Sequence, residues 1–388
     1  MERFTIPRDV FFGEDALSYL KTVKGEKAFL VVGSDRLLKD GTVEKIEKYL
    51  SEAGVQSKLF QGVESDPSLD TVMVGAEQMR EYQPDIIIGI GGGSPIDAAK
   101  AMWLFYEQPN FTFEEAIKPF NLPELRKKAR FIAITTTSGT ATEVTSFSVI
   151  ADSKTNIKYP IADYNLTPDV AIIDTTLVQS MPDFLVANTG MDALTHAIEA
   201  YTSKVKTPFT DALAMKSIEM IDENLLKSFN GNDEARKNMH IAQNLAGMAF
   251  SNAILGIVHS MAHKTGRIFK IPHGRANALY LTYAIEFNSK TAIKDYVAIA
   301  KSLNLKGDSD KELVESLVNY VKELRTAMNM PHSLKEFGVE EKFFMEKLDN
   351  LAITSVEDPC TGTNPREISV EEMKKLFLAI YYGEKVDF

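Results

Sequence analysis

The chain has 388 residues, 44% of them hydrophobic and 25% charged, with a formal net charge of −11. Its length is about twice that of a usual domain, so two domains sharing a cleft are expected. The acidic balance argues against a nucleic-acid surface, which wants clustered Lys and Arg. No run approaches the ~18 uninterrupted apolar residues of a membrane span, and the first residues lack a basic-then-apolar leader pattern. A single cysteine, Cys360, excludes an internal disulfide and suits a reducing compartment. The expectation is a cytoplasmic protein with no nucleic-acid or membrane partner.

The first half alternates short apolar runs with helical periods. Residues 28–32 (AFLVV) read as a strand and 43–53 as an amphipathic helix. A short strand at 57–60 and a helix at 69–82 follow. Residues 85–90 (DIIIGI) form a continuous apolar strand, and Gly91-Gly92-Gly93-Ser94 opens a helix through 98–105. Further strands are expected at 131–135 and 170–173. Apolar runs without strict alternation are buried on both faces, and their alternation with helices implies parallel βαβ units. From about Met181 long 3.6-residue periods take over (210–226, 233–250, 311–328, 370–382), with no convincing strand. The expected architecture is an α/β Rossmann-like domain with a parallel sheet over residues 1–180 and an all-α domain over 181–388.

Two loops follow strands where an open α/β sheet binds a dinucleotide. In GIGGGSPIDAAK, glycines let the backbone approach a phosphate, and the following helix start offers free N–H groups. Ser94 or Asp97 can serve near that helix start, and Pro95 suits its first turn. The segment is no P-loop, because Lys100 comes too late, and its offsets differ from G-x-G-x-x-G. The second loop, residues 135–143, supplies many hydroxyls, Thr136 and Thr137 among them. A tight structural turn would explain either loop alone; the pair favours a nucleotide.

Four of the six histidines stand close to one aspartate in the second half. Asp192 and His196 are four apart in MDALTHAIEA, His259 and His263 four apart in VHSMAHK, and His273 lies in a Pro-His-Gly turn. On a helix i and i+4 share a face, so each pair can aim two polar heads into one pocket. Carboxylate plus neutral imidazole suits a borderline divalent transition metal rather than calcium or magnesium. Isolated histidines satisfied by nearby carbonyls are the bland alternative, weakened here by two such pairs followed by a further histidine. His240 and His332 read as structural or exposed, and Cys360 as packed.

These stretches resemble the iron-containing (group III) alcohol dehydrogenases along nearly the whole chain. The resemblance is carried by FFG, GGGSPIDAAK, TTTSGTATEVT, KYPIADYNLTPDVAIID, NTGMDALTHAIEAY, GIVHSMAHKTGRIFKIPHGRAN and CTGTNPREIS. The wording is nearest to the alcohol dehydrogenase half of bifunctional aldehyde/alcohol dehydrogenases and to propanol dehydrogenases of propanediol utilisation. The resemblance implies that Asp192, His196, His259 and His273 hold Fe²⁺, with Zn²⁺ as the alternative ion. It implies that His263 is not a ligand but the catalytic histidine near the nicotinamide, relaying the hydroxyl proton. Gly91, Gly92, Gly93, Ser94 and Asp97 would form the pyrophosphate loop with Thr136 and Thr137 beside it, and Lys158 would reach the nicotinamide ribose. Short-chain alcohols and aldehydes (ethanol, propanol, butanol, propanediols) are the implied substrates, and a homodimer or higher homo-oligomer the implied assembly.

The chain departs from the family's wording twice. Gly139-Thr140-Ala141-Thr142 stands where Gly-Thr-Gly-Ser is common, so one position loses glycine freedom. The turn after the first strand is Gly33-Ser34-Asp35-Arg36, and a gapless match puts Ser34 rather than Asp35 at the position that selects the cofactor. An acid there accepts the adenosine ribose hydroxyls and repels a 2′-phosphate, which Arg36 could attract; NAD(H) is favoured over NADP(H). Apolar candidates for the substrate wall are Phe147, Met248, Ile254 and Phe269. The rival readings are a zinc-dependent glycerol dehydrogenase, a lyase of the dehydroquinate synthase type, and a non-catalytic nucleotide-binding protein. The lyase must hold a polyanion, yet only Lys264, Arg267 and Arg275 lie near the histidines in sequence.

Overall fold

The computed structural model describes residues 3–33, 35–153 and 157–388 and divides into two compact units, Met1–Ser180 and Met181–Phe388. Ser34 lies outside the described residues.

The first unit is built on strands β1 (Asp9–Gly13), β2 (Lys27–Val32), β3 (Gln56–Phe60), β4 (Ile86–Gly91), β5 (Arg130–Thr135) and β8 (Val170–Asp174). They form one parallel sheet in the order β1-β8-β5-β4-β2-β3. Helices α1 (Arg36–Lys39), α2 (Thr42–Glu52), α3 (Leu69–Tyr82), α4 (Gly93–Glu107) and α5 (Phe113–Ala116) fill the connections. The apolar runs divide by parity. Leu30, Ile88, Ile132 and Ile172 join the core containing Val43, Ile46 and Leu50 of α2, whereas Phe29, Val31, Ile87 and Phe131 join that of α3 and α4. The central strands β2, β4 and β5 therefore bury both faces, and this is why their runs show no polar alternation.

After β2 the chain moves out to β3 and then returns past β2 to β4. This reversal of direction opens a crevice at the carboxyl ends of β2 and β4, the usual ligand position in such sheets. The glycine turn at Gly91–Gly93 lies there.

Two features were not legible in the sequence. β1 is a short edge strand with Phe12 exposed. Strands β6 (Phe147–Asp152) and β7 (Ile157–Ala162) form a separate antiparallel pair in which Val149 faces Pro160. Proline removes a ladder donor and is confined to edges, so β7 gives a weak strand signal.

Lys100, dismissed as a phosphate ligand, is fully buried on α4. Its Nζ donates to the carbonyls of Thr142 (2.7 Å), Thr145 (2.7 Å) and Phe147 (3.0 Å), fastening the threonine loop to the helix that follows the glycine turn. Burial pulls this ammonium down to about 8, against the opposing pull of Asp97 and Glu143.

The second unit is helical: α6 (Asp183–Thr202), α7 (Pro208–Phe229), α8 (Asp233–Ala253), α9 (Ile257–Ile268), α10 (His273–Ser302), α11 (Asp310–Ala327), α12 (Leu334–Phe337), α13 (Glu341–Val356) and α14 (Val370–Tyr382). One continuous core joins them, with Met191, Ile198, Val258, Leu279 and Phe377 among its buried members. α10 is kinked at Ala292. No single helix among the described residues is long and apolar enough to cross a membrane.

Replacing Lys100 by methionine leaves three buried carbonyls without their donor. Lys100→Met should lower unfolding free energy by about 2–4 kcal/mol, measured by urea denaturation; a midpoint equal to that of the parent chain would refute the fastening role.

Candidate metal centre and dinucleotide loop

Helix α6 carries Asp192, His196 and Glu199 at i, i+4 and i+7, which places all three on one face. All three are buried. Helix α9 brings His259, and the first residue of α10 is His273. The Pro-His-Gly segment is thus a helix start, with Pro272 in the capping position, and not the free turn expected from sequence. Ligating atoms of Asp192, His196 and His259 lie within 4.8 Å of one another. Asp192 Oδ1 is 4.0 Å from His196 Nε2, 3.9 Å from His259 Nε2 and 3.8 Å from His273 Nε2.

Close packing sets this convergence. A Cβ on Gly274 would lie 2.1 Å from the Asn188 carbonyl oxygen, so glycine lets the start of α10 rest on α6. A Cβ on Gly256 would meet Glu199 Oε1 at 2.8 Å and Asn364 Oδ1 at 2.9 Å, so α9 also starts against α6. Just before it, Ile254 holds φ 59 and ψ −167, a backbone conformation reached readily only by glycine.

The residues around the cluster fix its chemistry. His259 Nδ1 hydrogen-bonds Glu199 Oε2, while Glu199 Oε1 accepts the Val258 N–H at 2.8 Å. With Nδ1–H donated to the carboxylate, Nε2 keeps its lone pair for the side facing Asp192. Burial, reinforced by His196, His273 and His263, holds His259 well below the ordinary imidazole value, so the ring is neutral. Burial raises Glu199, and the backbone N–H groups of Val258, Gly256 and His259 pull it back toward the ionised form that His259 needs as its acceptor.

Asn277, one turn into α10, points its Nδ2 at the same spot: 2.7 Å from Asp192 Oδ1, 3.0 Å from His259 Nε2 and 3.2 Å from His273 Nε2. An amide nitrogen has two hydrogens and cannot satisfy three acceptors. Donor atoms of one carboxylate and three imidazoles are gathered toward a common point, and a divalent transition metal fits that donor set. His196 is sandwiched between Phe250 and His259, at ring-centroid distances of 4.2 and 4.6 Å.

His263 does not join this group. Its ring stacks on His273 at 5.7 Å, and its Nδ1 lies 3.1 Å from Asp358 Oδ2. Asp358 also takes Lys264 Nζ at 2.8 Å. Burial would raise that carboxyl, but His263 and Lys264 outweigh it and hold it well below the usual carboxylate range. Glu199, Asn277 and Asp358 escaped the sequence reading. Glu199 alone left a signal there, three residues beyond His196 on the same helical face.

In the first unit Gly91 has φ 143, and a Cβ there would lie 2.4 Å from Pro95 Cγ. Its carbonyl accepts the Thr136 N–H at 2.8 Å, tying the two loops together. A Cβ on Gly92 would approach Thr137 Oγ1 at 3.2 Å, and one on Gly93 would approach Thr140 Cγ2 at 3.3 Å. Thr137 Oγ1 is buried with no hydrogen-bond partner among the described residues.

Neither Ser94 nor Asp97 caps α4: Gly92, which has no side chain to accept a bond, holds the capping position. Ser94 Oγ instead accepts from the Asp66 N–H at 3.4 Å, and Lys158 Nζ pairs with Asp66 Oδ1 at 2.6 Å. Asp97 is pushed up to about 7 by burial, opposed by Lys100 and Lys158. Asp35 is exposed at the start of α1 with no capping bond, and Arg36 donates to Ser180 Oγ at 3.1 Å. Ala141, where sequence suggested lost glycine freedom, does adopt a left-handed backbone with φ 52. Among the apolar wall candidates, Phe269 is core, packed on Phe343 and Phe344 at 6.0 and 6.3 Å.

Comparison with known proteins follows the same division. Residues 7–175 match the iron-containing alcohol dehydrogenase family model, and residues 186–381 match the model of the C-terminal part of the Fe-containing alcohol dehydrogenase family. An NADPH-dependent butanol dehydrogenase of Clostridium saccharobutylicum is 58% identical over 388 residues, covering 100% of both chains. A bifunctional aldehyde-alcohol dehydrogenase of Escherichia coli strain K12 is 40% identical over 97% of this chain. The match takes in 46% of that relative, so the chain spans about half its length. Among solved structures, a 1,3-propanediol oxidoreductase is 35% identical, with a TM-score of 0.91 over 98% of this chain and 100% of that one.

Glu199→Gln keeps the packing but removes the charged acceptor of His259. Iron affinity of the variant, measured by competition with a chromophoric chelator, should fall about 10–100-fold. Parental affinity would show that Glu199 does not orient the ring.

Proposed function

The chain belongs to the iron-containing alcohol dehydrogenase family and is an alcohol dehydrogenase; from that premise we propose that it interconverts butanol and butyraldehyde, with shorter primary alcohols as poorer substrates, using NADP(H). The observation that carries the chemistry is the convergence of Asp192, His196, His259 and His273 on one point. These four residues would hold the family's divalent metal. A divalent metal there supplies Lewis-acid polarisation of an alcohol or carbonyl oxygen, and a nicotinamide supplies or takes the hydride.

The chain's own residues do the rest. Glu199 keeps His259 in the tautomer that offers Nε2, and Asn277 steadies Asp192 and His273. Asp358 accepts from His263 Nδ1, leaving Nε2 of a half-exposed ring to take the hydroxyl proton and pass it to solvent. The uncapped start of α4 with Gly91, Gly92, Gly93 and Thr137 would take the pyrophosphate, and Lys158 a ribose hydroxyl.

Two observations favour NADP(H) over the NAD(H) expected from sequence. The Clostridium saccharobutylicum relative is named for NADPH. Ser34 carries no charge to repel a 2′-phosphate, and the guanidinium of Arg36 stands partly exposed two residues on. The butanol dehydrogenase, the aldehyde-alcohol dehydrogenase and the 1,3-propanediol oxidoreductase favour neither the glycerol dehydrogenase nor the dehydroquinate synthase reading.

Anaerobically iron-loaded protein assayed with C2 to C4 aldehydes should prefer butyraldehyde and NADPH; a larger kcat/KM for glycerol oxidation than for butanol oxidation would overturn the reading. His259→Ala should abolish turnover while NADPH binding, read by fluorescence, survives. Ser34→Asp should move the NADPH/NADH preference toward NADH by about tenfold or more (~1.4 kcal/mol of transition-state binding). An unmoved ratio would place the selecting residue elsewhere.

A further inference from the structure

A second group of ligating atoms stands beside the first and shares no residue with it. His263, Asp358 and Cys360 each bring one donor atom, all within 4.8 Å of one another. We propose that these three residues form a second cation site, selective for a thiophilic divalent ion such as zinc.

The turn that carries two of the donors is held rigidly. Asp358 Oδ1 accepts the Cys360 N–H at 3.1 Å and thereby caps the short 3-10 turn Pro359–Thr363. Thr361 Oγ1 bonds the Ser355 carbonyl at 2.7 Å and Ser260 Oγ of α9 at 2.8 Å, while Thr363 Oγ1 donates to the Leu255 carbonyl at 2.6 Å. The turn is thus pinned to the helix that supplies His263. The donors are pre-positioned, which reduces the ordering cost of binding an ion.

The donor set selects the ion. Thiolate with imidazole and one carboxylate suits zinc or cadmium, whereas calcium and magnesium require mostly oxygen. Charge also balances. Asp358 is now compensated by Lys264 at 2.8 Å, and the Lys264 side chain is partly exposed, so it can swing away to solvent. On binding, the thiol proton leaves to solvent as the metal–sulfur bond forms. The imidazole moves its proton from Nδ1 to Nε2 as the metal–nitrogen bond forms. One proton is released per ion.

Cys360 is the chain's sole cysteine, so a metal–thiolate absorption band has one source. Cadmium titrated into the full-length, iron-loaded protein in a thiol-free reductant should raise one ultraviolet cadmium–thiolate band, saturating at one equivalent per chain. Cys360→Ser should abolish the band, and His263→Ala and Asp358→Asn should each raise the half-saturating cadmium concentration about tenfold or more. Absence of the band, or a half-saturation point unmoved by His263→Ala, would overturn the site. Because the readout is thiolate absorption and not turnover, either result leaves the alcohol dehydrogenase reading standing.

Discussion

Three helices have to agree on the position of one oxygen atom, Asp192 Oδ1. His196 approaches it along α6 itself, His259 from α9 and His273 from the first turn of α10, at 3.8–4.0 Å. Burying a carboxylate among neutral imidazoles is unfavourable unless a cation compensates it. The helices are nevertheless brought together by glycines, Gly274 against the backbone of α6 and Gly256 against Glu199. The packing of the helical unit is therefore arranged around a charge requirement, and Glu199 and Asn277 serve to hold the donors in the orientation that requirement sets.

The α/β unit solves a different problem, the close approach of two loops at the carboxyl ends of β4 and β5. Gly91 supplies the turn, Thr136 ties the second loop to it, and the buried ammonium of Lys100 holds that loop from beneath. Strain is tolerated in both units: Ala141 sits left-handed in the threonine loop and Ile254 before α9. Such conformations persist only where the surroundings over-determine them, and they concentrate at functional sites. Here Ala141 lies in the loop that Lys100 fastens, and Ile254 just ahead of the helix that carries His259.

What could be read from sequence was what repeats at short range. Strands buried on both faces announce themselves as unbroken apolar runs, and the two i,i+4 pairs of polar residues mark helical faces. The edge strand β1 and the β6–β7 pair were missed, because a five-residue edge and a strand holding Pro160 carry little pattern. The supporting residues were hidden for another reason. Glu199 meets His259 across 60 residues, Asn277 meets Asp192 across 85, and Asp358 meets His263 across 95. Partnerships at that separation are made by tertiary packing and leave no local signal. His273 lay between these cases: its residue type was informative, but its place as the first residue of a helix was not.

X-ray absorption fine structure at the iron edge of the stoichiometrically loaded protein reads the donors around the ion. Convergence on Asp192 Oδ1 requires a shell of nitrogen and oxygen donors with the multiple-scattering signature of three imidazoles and no sulfur. An iron–sulfur distance, or a signal from fewer than three imidazoles, would contradict it and place the ion away from Asp192, His196, His259 and His273.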